Sequence, residues 1–387
     1  MKILQLGKFY PIFGGVEKVE WDITKGVSSR GVSCDMLCCG LRREVRNYLK
    51  GHDADKWPLK LRFNENGCCI VVPAWMKVAA TMISPMLIVR LRQIRNEYDI
   101  IHVHHPDPMA ALALWMSGYR GKVVLHWHSD ILKQKGILKF YMPLLKWLIR
   151  RADVIVGTTP VYVANSPLLA SVQDKIRVIP IGIRPVAPDA DGAAAIHARY
   201  PGCRLVYSLG RLVEYKGYGY LVEAASYLPD NYHVLIGGDG PDREMLSRKI
   251  AQLGLENKVT LLGYIDSADF AAYYTACDVF TLSSIYKTEA FAIVQIEAMS
   301  CGKPVVATQI EGSGVSWVNR DGYSGINVPP MDARALADAI VRVTGNEKEY
   351  AEFCVRAREH YCEMFTSKRM IDECIKLYKS LTDETES

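Results

Sequence analysis

No stretch of the chain reaches the roughly 20 consecutive apolar residues that a membrane-spanning helix needs, so any contact with a bilayer is expected to be peripheral. Charge of one sign is also scarce. A net charge of +5 over 387 residues disfavours a dedicated nucleic-acid binder but permits a local basic patch. The 11 cysteines include the adjacent pairs Cys38-Cys39 and Cys68-Cys69 but show no two-residue ligand spacing, and no secretory leader is visible ahead of them. Reduced thiols in the cytoplasm are expected. Neither a GxGxxG dinucleotide fingerprint nor a GK[ST] phosphate loop occurs, which argues against a nicotinamide-dependent oxidoreductase and a P-loop enzyme. Repeats and low-complexity tracts are absent.

What is present is an ordinary globular composition, 49% hydrophobic and 23% charged, on a chain long enough for two domains with full cores. Buried strands are expected at Lys2 to Gly7, Val32 to Cys39, Cys69 to Val72 and Ile100 to His104, with helical character between them, as from Pro85 to Glu97. A second series follows at Arg204 to Gly210, His233 to Pro241 with a closing glycine turn, Val259 to Tyr264 with its own turn, Asp278 to Leu282, Pro304 to Ala307 and Gly325 to Val328. Alternation of strands and helices implies doubly wound parallel sheets, which bind ligands outside the carboxyl ends of their strands. The segment 184–202, rich in Pro, Ala, Asp and Gly, reads as the linker.

Several groups with chemistry fall at such strand ends. After the first strand, Gly14-Gly15-Val16-Glu17 opens a helix, and paired glycines let a ligand approach the backbone at a helix N-terminus. Histidines cluster in Ile101-His-Val-His-His-Pro106 and in Val123-Val-Leu-His-Trp-His-Ser-Asp130. His126 and His128 could share a metal, but no third ligand is evident in the sequence. Arg211 and Lys216 bring two cations to the end of the strand at Arg204, suited to a diphosphate.

The stretch Glu289 to Gly302 reads as a buried helix capped by Gly302, with Ser283, Ser284 and Tyr286 leading in. Ala290, Phe291 and Ala292 are expected in its first turn, where free amides and the helix dipole favour a phosphate. Glu289 then stands at the mouth, and Glu297 about two turns along on a similar side. The segments Asp53-Ala-Asp55 and Asp189-Ala-Asp191 spell DxD but sit in polar loops and read as solvated. Between Gly136 and Arg151 apolar residues recur at helical spacing among Lys139, Lys146, Arg150 and Arg151. That face either packs on its own domain or meets anionic lipid.

Two glutamates separated by seven residues, just ahead of Cys301-Gly-Lys-Pro-Val-Val306, resemble the nucleotide-sugar motif of retaining glycosyltransferases of family four. Gly14-Gly15 with Glu17, His128, Arg211 with Lys216, the Gly237 turn and the strand at Pro304 match the family in the same order, so the resemblance covers nearly the whole chain. It implies the GT-B arrangement: two facing Rossmann-like doubly wound parallel-sheet domains with an interdomain cleft. The acceptor-binding domain would span 1–183, the linker 184–202, the nucleotide-sugar domain 203–364, and a C-terminal helix, 365–387, would cross back to the first domain.

The reaction implied is transfer of a sugar from a nucleoside diphosphate to a hydroxyl with retention of configuration, without metal or other cofactor. In that reading Arg211 and Lys216 stabilise the diphosphate, assisted by the amides of Ala290, Phe291 and Ala292. Glu297 holds the ribose and Glu289 the sugar hydroxyls. His128, with His126 as fallback, meets the sugar near the reacting carbon, and Gly14 and Gly15 lie against the diphosphate and acceptor. The family commonly has glycine where Ala290 and Ala292 stand.

The segments Lys287 to Glu297 and Glu311-Gly-Ser-Gly-Val-Ser-Trp-Val318 look like those of bacterial mannosyltransferases that build O-antigen or capsule on a lipid carrier. GDP-mannose is therefore the expected donor, a lipid-linked glycan the expected acceptor, and the inner face of the cytoplasmic membrane the expected place. A UDP-hexose or UDP-N-acetylhexosamine donor is the runner-up, and a nucleotide-sugar epimerase the alternative chemistry.

Overall fold

Strands whose residues are apolar almost without interruption have to be covered on both faces, and in this chain they assemble into two parallel sheets. The computed structural model describes residues 1–12, 14–49, 57–78, 81–131, 135–266 and 268–383, so Asp53-Ala-Asp55 lies outside the described residues. The chain divides into one compact unit of Met1–Ile181 with Ser367–Ser387, and a second of Gly182–Thr366.

The first unit contains β1 (Lys2–Phe9), β2 (Ser33–Leu41), β3 (Leu59–Asn64), β4 (Gly67–Ala74), β5 (Met76–Val78), β6 (Thr81–Ile83), β7 (Ile100–His105), β8 (Lys122–Trp127), β9 (Val154–Gly157) and β10 (Ile176–Val178). Eight of them form a sheet in the order β10-β9-β8-β7-β1-β2-β4-β3, while β5 and β6 pair separately. The sheet is parallel except for β3, which runs antiparallel to β4. From β1 the chain builds outward through β2, then returns to the other side of β1 as β7. Strand order therefore reverses between β1 and β7, which makes their carboxyl ends a binding crevice.

Helix Gly15–Ser28 follows β1 directly and buries Val19, Ile23 and Val27. The C-terminal helix Ser367–Asp383 belongs to this first unit and buries Met370, Ile371, Cys374 and Tyr378. It lies so close to the preceding helix that a Cβ on Gly26 would fall 2.0 Å from Ile371 Cδ1.

The second unit contributes β11 (Arg204–Leu209), β12 (Tyr232–Gly237), β13 (Val259–Gly263), β14 (Val279–Leu282), β15 (Val305–Thr308) and β16 (Gly325–Val328), ordered β13-β12-β11-β14-β15-β16. All neighbours are parallel, and Val206, Val234, Val279, Val306 and Ile340 are among the residues of one continuous core. The reversal here falls between β11 and β14, so the loops after these two strands flank the switch point.

One expectation about the fold changes. Helix Ala190–Arg199 runs through the segment 184–202, buries Ala193 and Ile196, and is capped by Asp189, which accepts a hydrogen bond from the Gly192 amide. Asp189 is thus a helix cap. The last strand of the first unit, β10, is short and stops at Val178. Helix Lys135–Arg151 carries Pro143 in its interior.

Candidate functional site

The loop after β11 is bent into place by glycine. Glu214–Lys216 forms one 3-10 turn closed by Gly217 at φ +64, where a Cβ would lie 2.1 Å from the carbonyl oxygen of Ser283. Only glycine allows that approach of two backbones at that φ. The Ile285 amide donates to the Tyr215 carbonyl at 2.8 Å, and Ser283 Oγ donates to the Lys216 carbonyl at 2.9 Å. The loops after β11 and β14 are thereby stitched together.

The stitching brings Lys216 Nζ within 2.5 Å of Glu289 Oε2, with both side chains about one-tenth exposed. Ser284 Oγ, itself buried, donates to the same carboxylate oxygen at 3.0 Å. Burial pulls the Lys216 ammonium toward neutrality, but the Glu289 carboxylate outweighs it and the net shift is upward, so the lysine is charged. The ammonium also sits about where a side chain at Gly210 would be, 3.5 Å from an ideal Cβ there. Arg211 is exposed, with no ion pair among the described residues.

Helix formation begins later than the sequence suggests. The helix runs Ile293–Ser300, so Ala290, Phe291 and Ala292 precede it, and Glu289 is not on the helix that carries Glu297. The physical reason lies at Ala292, which caps the helix with φ 61 and ψ 79 in the left-handed region. That conformation costs an L-residue about 1–2 kcal/mol, whereas glycine adopts it freely. Among the described residues the amides of Ala290, Phe291 and Ala292 donate to no protein acceptor. The carbonyls of Glu289 and Ala290 are held instead, accepting from Ser313 Oγ and the Gly314 amide. Glu297, half-buried on the helix, accepts from Tyr274 Oη at 2.8 Å.

The remaining candidates belong to the first unit. Gly14 is the N-cap and Gly15 the first residue of helix Gly15–Ser28, with Glu17 buried in the first turn. His128 follows the end of β8 and is 5% exposed. The fallback His126 is fully buried beneath it, with ring centroids 4.1 Å apart and planes 8° from parallel. Only His128 has surface to offer a ligand.

The sequence left His126 and His128 without a third metal ligand, yet His102 and His104 join them on the same face of the sheet. Ring nitrogens of His102, His104 and His126 all lie within 4.8 Å of one another. Their planes, however, are stacked: 9° between His102 and His126 and 24° between His104 and His126. Near-parallel rings keep their lone pairs in near-parallel planes, without the spread of directions that a tetrahedral ligand set has. Burial holds all of these imidazoles well below the usual histidine range, hence neutral.

Sequence reasoning missed the groups behind the candidates: Ser284 on Glu289, Tyr274 on Glu297, and Gln5 with His104 behind His128. Gln5 had left a trace, a polar residue inside an otherwise apolar buried strand.

Two known families match the chain: "Glycosyltransferase Family 4" over residues 13–186 and "Glycosyl transferases group 1" over residues 193–360. It is 31% identical to an O-antigen chain mannosyltransferase C of Escherichia coli over 99% of both chains. It is 29% identical to the D-rhamnosyltransferase WbpZ of Pseudomonas aeruginosa over 95% of this chain and 93% of that one. Among solved structures, Anabaena HepE in complex with UDP superposes with a TM-score of 0.77 at 21% identity, covering 98% of this chain and 100% of that one. Sucrose-phosphate synthase from Thermosynechococcus elongatus reaches 0.78 at 21%, covering 99% and 100%. These likenesses place the fold in the GT-B class of glycosyltransferases. With a relative above 30% identity matched end to end, the chain belongs to the group 1, family 4 glycosyltransferases, and it is a sugar-transferring enzyme.

Proposed function

We propose that this glycosyltransferase moves mannose from GDP-mannose, with retention of configuration, onto a hydroxyl of a lipid-linked glycan in bacterial O-antigen assembly. The observation that carries the reading is end-to-end similarity to an O-antigen chain mannosyltransferase. Lys216 and Arg211 neutralise the diphosphate as charge grows on it, and the undonated amides of Ala290, Phe291 and Ala292 assist, because fixed donors act most strongly where water is excluded. Glu289, oriented by Ser284 and Lys216, receives sugar hydroxyls, while Glu297 takes the ribose and His128 the sugar near the reacting carbon. Gly14 and Gly15 leave room for the diphosphate and acceptor. No metal is required by this arrangement, since two cations and a set of amides already supply positive charge.

Ligand-dependent melting tests the donor. GDP and GDP-mannose are expected to raise the melting temperature and UDP, UDP-hexose and UDP-N-acetylhexosamine to leave it unchanged, since a ligand at 100 times its Kd stabilises by about 2.7 kcal/mol. A shift with uridine ligands alone would discard mannose and make epimerisation without acceptor worth assaying. The similarity to a D-rhamnosyltransferase favours one second reading, a 6-deoxymannose donor. Turnover of the two GDP-sugars side by side separates them.

A lipid-linked acceptor fits peripheral attachment. No helix among the described residues is long and apolar enough to cross a membrane. On helix Lys135–Arg151 the residues Tyr141, Leu145, Leu148 and Ile149 are buried, so most of its apolar side packs inward. Phe140 remains 89% exposed, beside exposed Lys139, Lys146 and Arg150. Binding to anionic vesicles is expected to weaken with salt. Lys139→Glu with Lys146→Glu should cost at least ~30-fold, from about 1 kcal/mol per basic residue. Sedimentation with vesicles reads this out, and unchanged binding would leave the helix a purely internal packing element.

A further inference from the structure

We propose that Gln5 and His104 are positioning residues that hold the imidazole of His128 in one tautomer, with Nε2 protonated and Nδ1 bare. His128 then presents a hydrogen-bond acceptor at the carboxyl end of β8. The use of that acceptor for a hydroxyl of the donor sugar rests on the function proposed above, whereas the tautomer itself does not.

The argument starts at the Gln5 amide, fully buried on β1. Its Nε2 faces Tyr378 Oη at 3.0 Å, a group brought in by the C-terminal helix, and Cys34 Sγ at 3.7 Å. That leaves Gln5 Oε1 facing His104 Nε2 at 2.8 Å. A carbonyl oxygen only accepts, so the proton of His104 sits on Nε2 and its Nδ1 keeps a lone pair. His104 Nδ1 lies 2.9 Å from His128 Nε2, and two lone pairs cannot share that contact. His128 Nε2 therefore donates, and Nδ1 is its acceptor.

Each ring is neutral and carries a single proton, because burial and the surrounding histidines hold both far below the ordinary range. With the Gln5 amide nitrogen turned to Tyr378, the opposite arrangement would set the His104 lone pair against the Gln5 carbonyl at two residues with no exposed surface, where an unmade hydrogen bond is costly. Parallel pairing makes the chain of contacts continuous. Gln5 is level with His102 on β7, and His104 is level with His126 on β8, two residues before His128 on the same face. Gln5 and His104 have no exposed surface, so they act on a ligand only through His128.

The test is histidine tautomer state, read by long-range proton–nitrogen correlation on the full-length protein labelled with nitrogen-15 histidine. His128 is assigned by loss of its signals in His128→Gln. Wild type should show His128 protonated at Nε2. His104→Asn, whose Oδ1 takes the place of the imidazole Nδ1, should keep that state and keep turnover within about 3-fold. His104→Leu and Gln5→Leu should give mixed tautomers and turnover lowered by ~10-fold, with KM for the donor changing less, an effect of one buried hydrogen bond.

A purely packing role predicts the reverse order at position 104, because leucine fills the space better than asparagine. Nδ1 protonation of His128 in wild type, or an unchanged tautomer in a folded Gln5→Leu, would overturn the relay. Tautomers that shift as expected while turnover stays level would uphold the relay and remove His128 from the donor sugar.

Discussion

Replacing Lys216 with alanine is expected to lower sugar transfer by about 10²–10³-fold, the usual loss when one group that stabilises developing charge is removed. The same change should destabilise the second unit. Lys216 and Glu289 form an ion pair about one-tenth exposed, and deleting one partner leaves the other buried without compensation, at a cost of about 3–5 kcal/mol. For a unit of this size that corresponds to a melting temperature lower by about 10 °C. A lysine placed by the sequence at a strand end to meet a diphosphate is therefore structural as well as chemical.

The two effects can be parted. Lys216→Met combined with Glu289→Gln removes both charges, so it should regain most of the melting temperature while transfer stays lost. Calorimetry and a radiolabelled-sugar assay on the single and double variants read the two quantities separately. Near-normal turnover by a folded Lys216→Ala would take this lysine out of the mechanism. Recovery of activity in the double variant would show that the buried pair serves only the fold.

The second large effect is expected at Gly217, where alanine should cost more than ~3 kcal/mol and abolish transfer together with it. The left-handed φ of +64 accounts for only about 1–2 kcal/mol of that. The remainder arises because the new methyl would fall 2.1 Å from the Ser283 carbonyl and 2.8 Å from Ile285 Cγ2, prising apart the loops that hold Lys216 against Glu289. Gly254 supplies the control, since its φ is +65 and nothing lies within 4 Å of a Cβ there. Gly254→Ala should lose about 1–2 kcal/mol and keep its activity. Equal melting temperatures for the two variants would sink the idea that close backbone approach, rather than dihedral strain, makes position 217 glycine.

The strands were legible because a strand covered on both faces has to be apolar along its length. Lys2 to Gly7 and Arg204 to Gly210 read that way, and β1 and β11 begin on the residues expected. The start of the Glu289 motif was less legible. Helical spacing suggested a first turn at Ala290, and the left-handed conformation of Ala292 delayed it to Ile293. Nothing in the identity of an alanine announces a positive φ. The loop reading of Asp189-Ala-Asp191 failed for a related reason: Asp, Ala and Gly suit both a loop and a short capped helix, and burial of Ala193 and Ile196 made the difference.

Residue type and order alone determined that this chain builds two α/β units and carries a glycosyltransferase motif set, because hydrophobic pattern and local spacing are properties of the chain itself. Tertiary structure decided which of those residues work as pairs. Lys216 and Glu289 lie far apart in sequence and meet only because β11 and β14 are neighbours at a switch point. Gln5 on β1, His104 on β7 and His128 just past β8 meet across the sheet, and their shared protons depend on register, which hydrogen bonding between strands sets and sequence spacing does not. Chemistry that needs contact at about 3 Å is decided by packing, and packing exists only in the folded chain.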